Sequence, residues 1–237
     1  MSTNKYLKKS IESLYKLPFF KKPLPKNPFG RSIQADKEKY LQIYNKTINN
    51  DDKVVIAFEK KCGFSINKVW LNDLALHTQI VIKKGDLNFF HGRLLYTVLS
   101  KYLDDLKEIG NVSIFETGTA RGFSSICMSK AITDCKSKGE IHTIDILPND
   151  KKIYWNSISD IDGKKTRLEL LDNWKNYTNR IKFHLGDSTK VLKNFDLERV
   201  NFAFLDGSHN KKKVAIEFEW VMKRQIKGDI VIFDDYD

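Results

Sequence analysis

The feature that most constrains the fold of this chain is a regular alternation of short apolar segments with helical segments after residue 111. Because parallel strands are joined by long crossovers, which helices usually supply, this alternation predicts a parallel sheet with helices on both faces. Right-handed crossovers leave few strand orders, and we predict a doubly wound α/β sheet in the order 3-2-1-4-5. The predicted strands are residues 112–115, 141–144, 181–185, 200–205 and 229–233. The clearest helices between them are residues 123–132 and 211–225.

The part of the chain before the sheet has a different pattern. Four prolines between residues 18 and 28 favour an extended connector, because proline interrupts helices. Beyond them, residues 35–49, 67–82 and 91–106 are predicted to be helices, and the last has apolar residues at three- and four-residue steps. The predicted regions are therefore a basic leader at 1–34, a helical cap region at 35–106 and the sheet domain at 107–237.

Positive charge is concentrated near the N-terminus. The chain has a net charge of +11, and residues 1–50 hold 11 basic and 3 acidic residues. A basic arm suits nucleic acid, an anionic membrane surface or an acidic substrate, and it is also typical of a solvated leader. No RNA-binding signature accompanies the arm, so nucleic acid is not the partner that we expect.

Composition excludes several other classes of protein. Hydrophobic residues make up 41% of the chain, which is enough for a sizeable core and excludes global disorder. No apolar run approaches the roughly 18 residues of a membrane-spanning helix, and the first ten residues lack the apolar stretch of a secretory signal. The cysteines, Cys62, Cys127 and Cys135, are too few and too scattered for a disulfide framework or a zinc site. We therefore predict a soluble, cytoplasmic protein.

Each predicted strand is followed by an acidic residue at its carboxyl end. Surface loops are often polar, so a single acidic residue in such a position would mean little. Open α/β sheets bind their ligands at this edge, and five such endings in succession indicate a ligand site there. The acidic residues are Glu116, Asp145, Asp187, Asp206 and the pair Asp234 and Asp235.

The turn after the first strand, in the segment SIFETGTARGFSS, narrows the choice of ligand. Gly118 and Gly122 are four residues apart, so the Gly-x-Gly-x-x-Gly fingerprint of dinucleotide binding is absent, which disfavours a nicotinamide oxidoreductase. Glu116 would repel a phosphate but suits a ligand with cationic groups, and the glycines let the backbone approach that ligand closely. The carboxylate of Asp145, at the end of the second strand, can accept both hydroxyls of a ribose.

The FETGTARGFSS segment resembles the first motif of the class I S-adenosylmethionine-dependent methyltransferases, which have a Rossmann-like fold. The resemblance implies that the glycine turn lines the methionine end of the cofactor and that Asp145 holds the ribose hydroxyls. It places Asp187 beside the adenine, together with Ser188. The residues that it assigns to the cofactor are Glu116, Gly118, Thr119, Gly122, Ser124, Asp145, Asp187 and Ser188.

The C-terminal segment, which runs from FLDGSH to IFDDYD, is similar to the metal-dependent O-methyltransferases. The similarity is greatest to the branch that acts on sugars and antibiotic glycosides and to cephalosporin-hydroxylase-like relatives. It implies a Mg²⁺ ion held by Asp206, Asp234 and Asp235. Adjacent parallel strands lie about 4.8 Å apart, so carboxylates at their ends can share one ion. Oxygen-only ligands of this kind suit Mg²⁺ and disfavour zinc.

The catalytic base is less clearly defined than the metal ligands. His209 follows Asp206 by three residues, which makes it a candidate general base for an acceptor hydroxyl, with Asp206 as the second catalytic residue. Some relatives carry a further acidic residue at the position of Ser208, and this departure leaves the base open. His91 and Lys83, in the helical region, are weaker candidates for residues that line the site.

These resemblances cover residues 111–237 and predict a Mg²⁺-dependent O-methyltransferase that acts on a hydroxyl of a sugar or another polyhydroxylated small molecule. One alternative is a related protein that binds the cofactor without catalytic activity. A second is a nucleic-acid methyltransferase that uses the basic leader. Such enzymes tend to carry Asn/Asp-Pro-Pro-aromatic where this chain has Asp206-Gly207-Ser208-His209, which disfavours the second alternative.

The sequence departs from the family pattern after the fifth predicted strand. Class I methyltransferases usually add a sixth strand and an antiparallel seventh, whereas this sequence ends at Asp237. Either the fold is a shortened form or a segment is missing from the polypeptide. In the full fold the seventh strand covers the fifth, so residues 230–233 would be left as an apolar edge, which proteins normally cover. The N-terminal leader could cover this edge, but its prolines make it a poor substitute strand, so we predict that a second copy covers the edge in a homodimer.

Overall fold

The structure is a computed structural model, and it describes residues 29–106, 111–208 and 210–234. Most of the proline-containing leader lies outside the described residues. The candidate base His209 and the candidate metal ligand Asp235 also lie outside them. Within the described ranges, no helix is long and apolar enough to cross a membrane.

Four helices precede the sheet, and side chains cap the first turns of three of them. Asp36 accepts a hydrogen bond from the amide of Lys39, and Asp52 accepts from the amide of Val54, which satisfies amides that a helix start leaves unpaired. The helices are α1 (Lys37–Thr47), α2 (Lys53–Cys62), α3 (Lys68–Thr78) and α4 (Phe90–Asp105). Three of them confirm the predicted helical segments, although α3 ends at Thr78, earlier than predicted. The sequence analysis misses α2.

The sheet contains five parallel strands in the order β3-β2-β1-β4-β5, which confirms the predicted fold class and strand order. The strands are β1 (Val112–Thr117), β2 (Gly139–Asp145), β3 (Ile181–Leu185), β4 (Phe202–Leu205) and β5 (Ile230–Phe233). The prediction ended the first strand before Glu116, whereas β1 continues through Glu116 to Thr117. Both faces of the sheet are covered at this point, so Glu116 is buried although its side chain is polar, and the strand continues through it.

The register aligns the carboxyl ends of the central strands. Thr117 pairs with Ile144 of β2 and with Leu205 of β4, and Leu205 pairs with Phe233 of β5. The residues that follow these strands therefore emerge side by side at one edge of the sheet. This is the edge at which the sequence predicts the ligand site.

Helices and short turns cover both faces of the sheet. The helices of the sheet domain are α5 (Phe123–Asp134), α6 (Arg167–Leu170), α7 (Lys175–Thr178), α8 (Ser188–Val191) and α9 (Lys211–Met222). The β2–β3 connection also contains two 3₁₀ turns, Ile158–Asp162 and Asp172–Trp174, and a third, Leu192–Asn194, follows α8. Ile114 faces α4 and α5, in one cluster of buried apolar residues, and its neighbour Phe115 faces Trp220 of α9 on the other side.

Candidate functional site

A cavity of about 560 Å³ lies at the carboxyl ends of the strands. Its walls come from the turn after β1, the ends of β2, β3 and β4, the side chain of Lys213 and the ring of Phe29. This volume is in the range of sites for small molecules and cofactors, which is about 300–1,000 Å³. Among the described residues, none between 35 and 106 lines this cavity. The predicted site residues that line it are Gly118, Asp145, Asp187, Ser188 and Asp206.

Gly118 brings the turn after β1 against the turn after β4. Its φ is +89°, and a Cβ atom at this position would lie 2.2 Å from the carbonyl oxygen of Asp206. A side chain therefore cannot be accommodated without moving one of the two turns. Because residue 118 is glycine, backbone atoms alone form this part of the cavity wall.

Asp145 presents a carboxylate that the backbone holds in place. Its Oδ2 accepts a hydrogen bond from the amide of Ala120 at 2.7 Å, and its Oδ1 accepts from the amide of Leu147 at 2.6 Å. Each carboxylate oxygen has capacity for a further donor. The side chain is therefore fixed in the cavity wall and can accept two hydroxyls from a ligand, as the sequence analysis expects for a ribose.

Asp187 is already paired with a cation. Its Oδ2 accepts from Nζ of Lys213 at 2.7 Å, and its Oδ1 accepts from the hydroxyl of Thr189 at 2.6 Å. The Lys213 ammonium and the Thr189 hydroxyl lower the pKa of Asp187 to about 2. Asp187 and Lys213 therefore present an ion pair to the cavity, so the pair adds little net negative charge.

Glu217 is a site residue that the sequence analysis misses. It is fully buried beneath the cavity and accepts from the hydroxyls of Thr117, at 3.1 Å, and of Ser188. Burial raises the pKa of its carboxyl group. It joins the end of β1 and the first residue of α8 to α9. The sequence signal is its spacing, since Glu217 lies three and four residues before the buried Trp220 and Val221 on the inner face of α9.

Glu116 lies one layer below the cavity. It is fully buried in β1, and its two carboxylate oxygens accept from the hydroxyls of Ser124 and Ser125, in the first turn of α5. Burial raises its pKa, and the three serine and threonine hydroxyls around it act in the opposite direction. Contact of Glu116 and Ser124 with the cofactor therefore stays a prediction.

Thr119 and Gly122 also stand behind the cavity wall. The hydroxyl of Thr119 lies 2.5 Å from that of Thr143 on β2. Gly122 has a φ of +89° at the start of α5, and a Cβ atom there would lie 2.8 Å from a methyl group of Leu171. These two residues shape the turn that carries the wall, and their contact with the cofactor likewise stays a prediction.

The candidate metal ligands follow two neighbouring strands. The amide of Asp206 donates to the carbonyl of Thr117 at 3.0 Å, and the amide of Asp234 donates to the carbonyl of Leu205 at 3.2 Å. Both carboxylates thus emerge at the same edge, and oxygen donors of this kind suit a hard cation such as Mg²⁺. Across the described ranges, no cluster of three or more His, Cys, Asp or Glu side chains is arranged to hold a metal ion. The two described carboxylates fit the predicted site in part.

His91 approaches this edge from the helical region. Its ring packs edge-on against Phe123, with centroids 4.9 Å apart, and stacks on Phe204 of β4 at 6.5 Å. Burial lowers its pKa to about 4, although the nearby charge of Asp234 acts in the opposite direction. His91 is therefore neutral at neutral pH. The sequence analysis names it only as a weak candidate, because nothing local indicates that helix α4 begins beside the ends of β4 and β5.

A family model described as a methyltransferase domain matches residues 115–236, which is just over half of the chain. The chain belongs to this methyltransferase-domain family. The match confirms the predicted class of enzyme, an S-adenosylmethionine-dependent methyltransferase. It begins in the strand that leads into the glycine turn. No curated protein matches the sequence.

Several solved structures to which this chain is similar are methyltransferases. One is the O-methyltransferase TomG from Streptomyces achromogenes, involved in tomaymycin synthesis and solved with SAM, with 18% identity, coverage of 77% of this chain and 71% of that chain, and a TM-score of 0.49. Another is cofactor-bound Rv0187 from MTB, with 14% identity, coverage of 84% and 73%, and a TM-score of 0.44. A third is the SAH-bound Podospora anserina methyltransferase PaMTH1, with 14% identity, coverage of 86% and 73%, and a TM-score of 0.39.

Proposed function

We propose that this methyltransferase transfers the methyl group of S-adenosylmethionine to a hydroxyl oxygen of a sugar or another polyhydroxylated small molecule, and that it uses Mg²⁺ to do so. The observation that carries the cofactor part is the fixed carboxylate of Asp145 in the wall of a cavity of about 560 Å³. Such a carboxylate can accept both ribose hydroxyls of an adenosyl group. S-adenosylmethionine supplies an electrophilic methyl group when it is bound.

The cavity offers a separate surface to each part of the cofactor. Gly118 lines the cavity with backbone atoms alone, which suits close approach of the methionine end. Ile146 and Phe29 contribute apolar surface beside Asp145, which suits the adenine ring. Asp187 and Ser188 lie on the β3 side of the cavity, which supports our proposal that they lie beside the adenine. The hydroxyl of Ser188 donates to Glu217, so its oxygen can still accept a hydrogen bond from a ligand.

Asp206, Asp234 and Asp235 are the residues that we propose to hold Mg²⁺. The positive charge of the ion favours the ionised form of an acceptor hydroxyl and helps to fix its orientation. We assign Asp206 to both sites, because it lines the cofactor cavity and it also follows β4, next to the strand that Asp234 follows. This arrangement supports a reaction in which the acceptor meets the cofactor beside the end of β4.

We further propose His209 as the group that takes the proton from the acceptor hydroxyl, because it follows Asp206 by three residues. The helical region is proposed to shape the acceptor side of the site. His91 supports this role, because it lies in the helical region and the charge of Asp234 acts on its pKa.

Methyl transfer in the presence and absence of a chelator tests the metal part of the proposal. The full chain is incubated with S-adenosylmethionine labelled in its methyl group and with a panel of sugars and other polyols. Transfer should occur with Mg²⁺ or Mn²⁺ and should stop in excess EDTA, while binding of S-adenosylhomocysteine persists. Transfer that continues undiminished in EDTA would remove the metal from the reaction, and transfer only to nucleic acid would contradict the acceptor class.

A further inference from the structure

We propose that Arg167 is a positioning residue for the cofactor, because its buried guanidinium group fixes the two loops that hold the carboxylate of Asp145. The inference rests on the proposed function, since it assumes that Asp145 binds the ribose. Arg167 begins helix α6 in the β2–β3 connection and is 1% exposed. It does not line the cavity, so its effect on a ligand must pass through other residues.

The first loop is the turn after β1. Ala120 donates its amide to Oδ2 of Asp145 at 2.7 Å, and its carbonyl accepts from Nε of Arg167 at 3.0 Å. Its φ of +46° lies in the left-handed region, which is unfavourable for a residue other than glycine. Hydrogen bonds on both sides of its Cα atom thus hold Ala120 in this conformation, and one of them comes from Arg167.

The second loop follows β2. Leu147 donates its amide to Oδ1 of Asp145 at 2.6 Å, and its carbonyl accepts from Nη2 of Arg167 at 3.3 Å. Nη1 of Arg167 donates to the side-chain oxygen of Asn149 in the same loop. Both residues that donate to the Asp145 carboxylate therefore accept from one guanidinium group. The orientation of Asp145 depends on this shared group.

The surroundings of Arg167 require arginine in particular. Its guanidinium carbon lies 5.5 Å from the ring centroids of Trp155 and Phe183, so the group is enclosed by aromatic surface. Its partners are three oxygens spread around the plane of the group, which a planar fork of donors can reach together. A lysine ammonium is a single point and cannot bond to the carbonyls of Ala120 and Leu147 in the same geometry.

Calorimetric titration of S-adenosylhomocysteine into the full chain tests this role in Arg167→Lys. We expect the affinity to fall about tenfold, as for the loss of one hydrogen bond to a charged group. Arg93→Lys is the matched control, because Arg93 also places a fork of donors on its partner, Glu59, but lies in the helical region away from the cavity. That variant should bind with wild-type affinity.

A double-mutant cycle separates positioning from general damage. If Arg167 acts through Asp145, Arg167→Lys should change the affinity less than twofold when Asp145 is already alanine. Additive losses in the double variant, or wild-type affinity in Arg167→Lys, would overturn the positioning role. If Arg167→Lys fails to fold, as judged by circular dichroism, Asn149→Ala takes its place and should weaken binding about threefold; unchanged affinity there would also overturn it. A wild-type chain that does not bind S-adenosylhomocysteine would instead overturn the proposed function.

Discussion

Asp145 is the residue on which the proposed cofactor site depends most. Two backbone amides fix its carboxylate in the cavity wall, so a ribose meets a preorganised acceptor. In Asp145→Ala, a hydrogen bond to a charged group is lost, which typically costs about 1.5–3 kcal/mol. We therefore expect the affinity for S-adenosylhomocysteine to fall at least about tenfold in calorimetry.

The matched control for Asp145 is Asp86→Ala. The side chain of Asp86 is 95% exposed and pairs with Lys46 on the surface of the helical region, so its removal should leave the affinity unchanged. An affinity within twofold of wild type in Asp145→Ala would show that the ribose does not bind to this carboxylate.

The ion pair between Asp187 and Lys213 predicts a specific dependence of stability on pH. Because Lys213 helps to lower the pKa of Asp187 to about 2 in the folded chain, the folded state binds fewer protons there than the unfolded state. The resulting stability is present above the ordinary aspartate pKa of about 3.9 and is lost as the pH falls towards 2. Lys213→Met should therefore have a lower Tm than wild type above pH 4, and the two Tm values should converge near pH 2.

Thermal unfolding at pH values between 2 and 6 measures this difference. Lys212→Met is the control, because Lys212 is exposed and lies next to Lys213 in the same helix. A difference between Lys213→Met and wild type that stays constant over the whole range would contradict the assigned ion pair.

At the scale of elements, the contact between the turns after β1 and β4 determines the shape of the site. Gly118→Ala adds a Cβ atom 2.2 Å from the carbonyl oxygen of Asp206, and it also strains a φ of +89°. Gly63→Ala is the matched control, because Gly63 has a φ of +80° in the left-handed helical region and no neighbouring atom within 4 Å. The control should cost about 1 kcal/mol of unfolding free energy, and Gly118→Ala should cost at least about 2 kcal/mol more.

Urea unfolding of the two glycine variants measures these costs. Similar destabilisation of both would mean that the turns after β1 and β4 can move apart. The wall of the cavity would then be adaptable, which would contradict the close approach of backbone that we assign to this turn.

The elements differ in how much of them the sequence predicts. The strands of the sheet are predictable because short segments rich in apolar residues, each followed by an acidic residue, alternate with helical segments. Helix α2 is not, because its apolar residues form an unbroken run at 54–58, of which only Val55 is buried, so the sequence shows no helical periodicity there. The end of β1 is predicted too early, because an acidic residue such as Glu116 is typical of a loop. Its burial in the strand depends on hydrogen bonds from the hydroxyls of Ser124 and Ser125, which only the folded chain provides.

For the whole molecule, the exposed edge of the sheet predicts self-association. Strand β5 pairs only on its β4 side within the described sheet, and beside it Phe218 and Met222 of α9 are 37% and 50% exposed. The ring of Phe218 lies 5.3 Å from that of Phe233, so the helix and the strand form one apolar surface. We propose that a second copy covers this surface, and we expect light scattering at micromolar concentration to give a mass about twice 27.6 kDa.

Met222→Lys tests the location of that interface. A charge on this face should convert the dimer to a monomer, whereas Leu168→Lys, a substitution of another exposed apolar residue in the β2–β3 connection, should not. A wild-type mass near 27.6 kDa would contradict the homodimer.

Long-range contacts in the molecule explain why part of the site cannot be predicted from the sequence. Asp145 and Asp187 can be placed at the site from local pattern, because Asp145 directly follows a predicted strand and Asp187 comes two residues after another. Arg167 and Glu217 do not follow strands, and they contact the site residues from a connection and a helix. The spacing on α9 marks Glu217 as a buried position, but it does not show which residues Glu217 contacts. The residues that shape the cavity from behind therefore emerge only from the structure.

Calorimetric titration of the full chain with S-adenosylhomocysteine, with Mg²⁺ and then with excess EDTA, tests the central claim most directly. A cavity that binds the cofactor through Asp145 predicts saturable binding of one molecule per chain under both conditions, since the proposed metal ligands serve the acceptor hydroxyl. The absence of binding under both conditions would contradict the assignment of the cavity at the carboxyl ends of the strands to this cofactor.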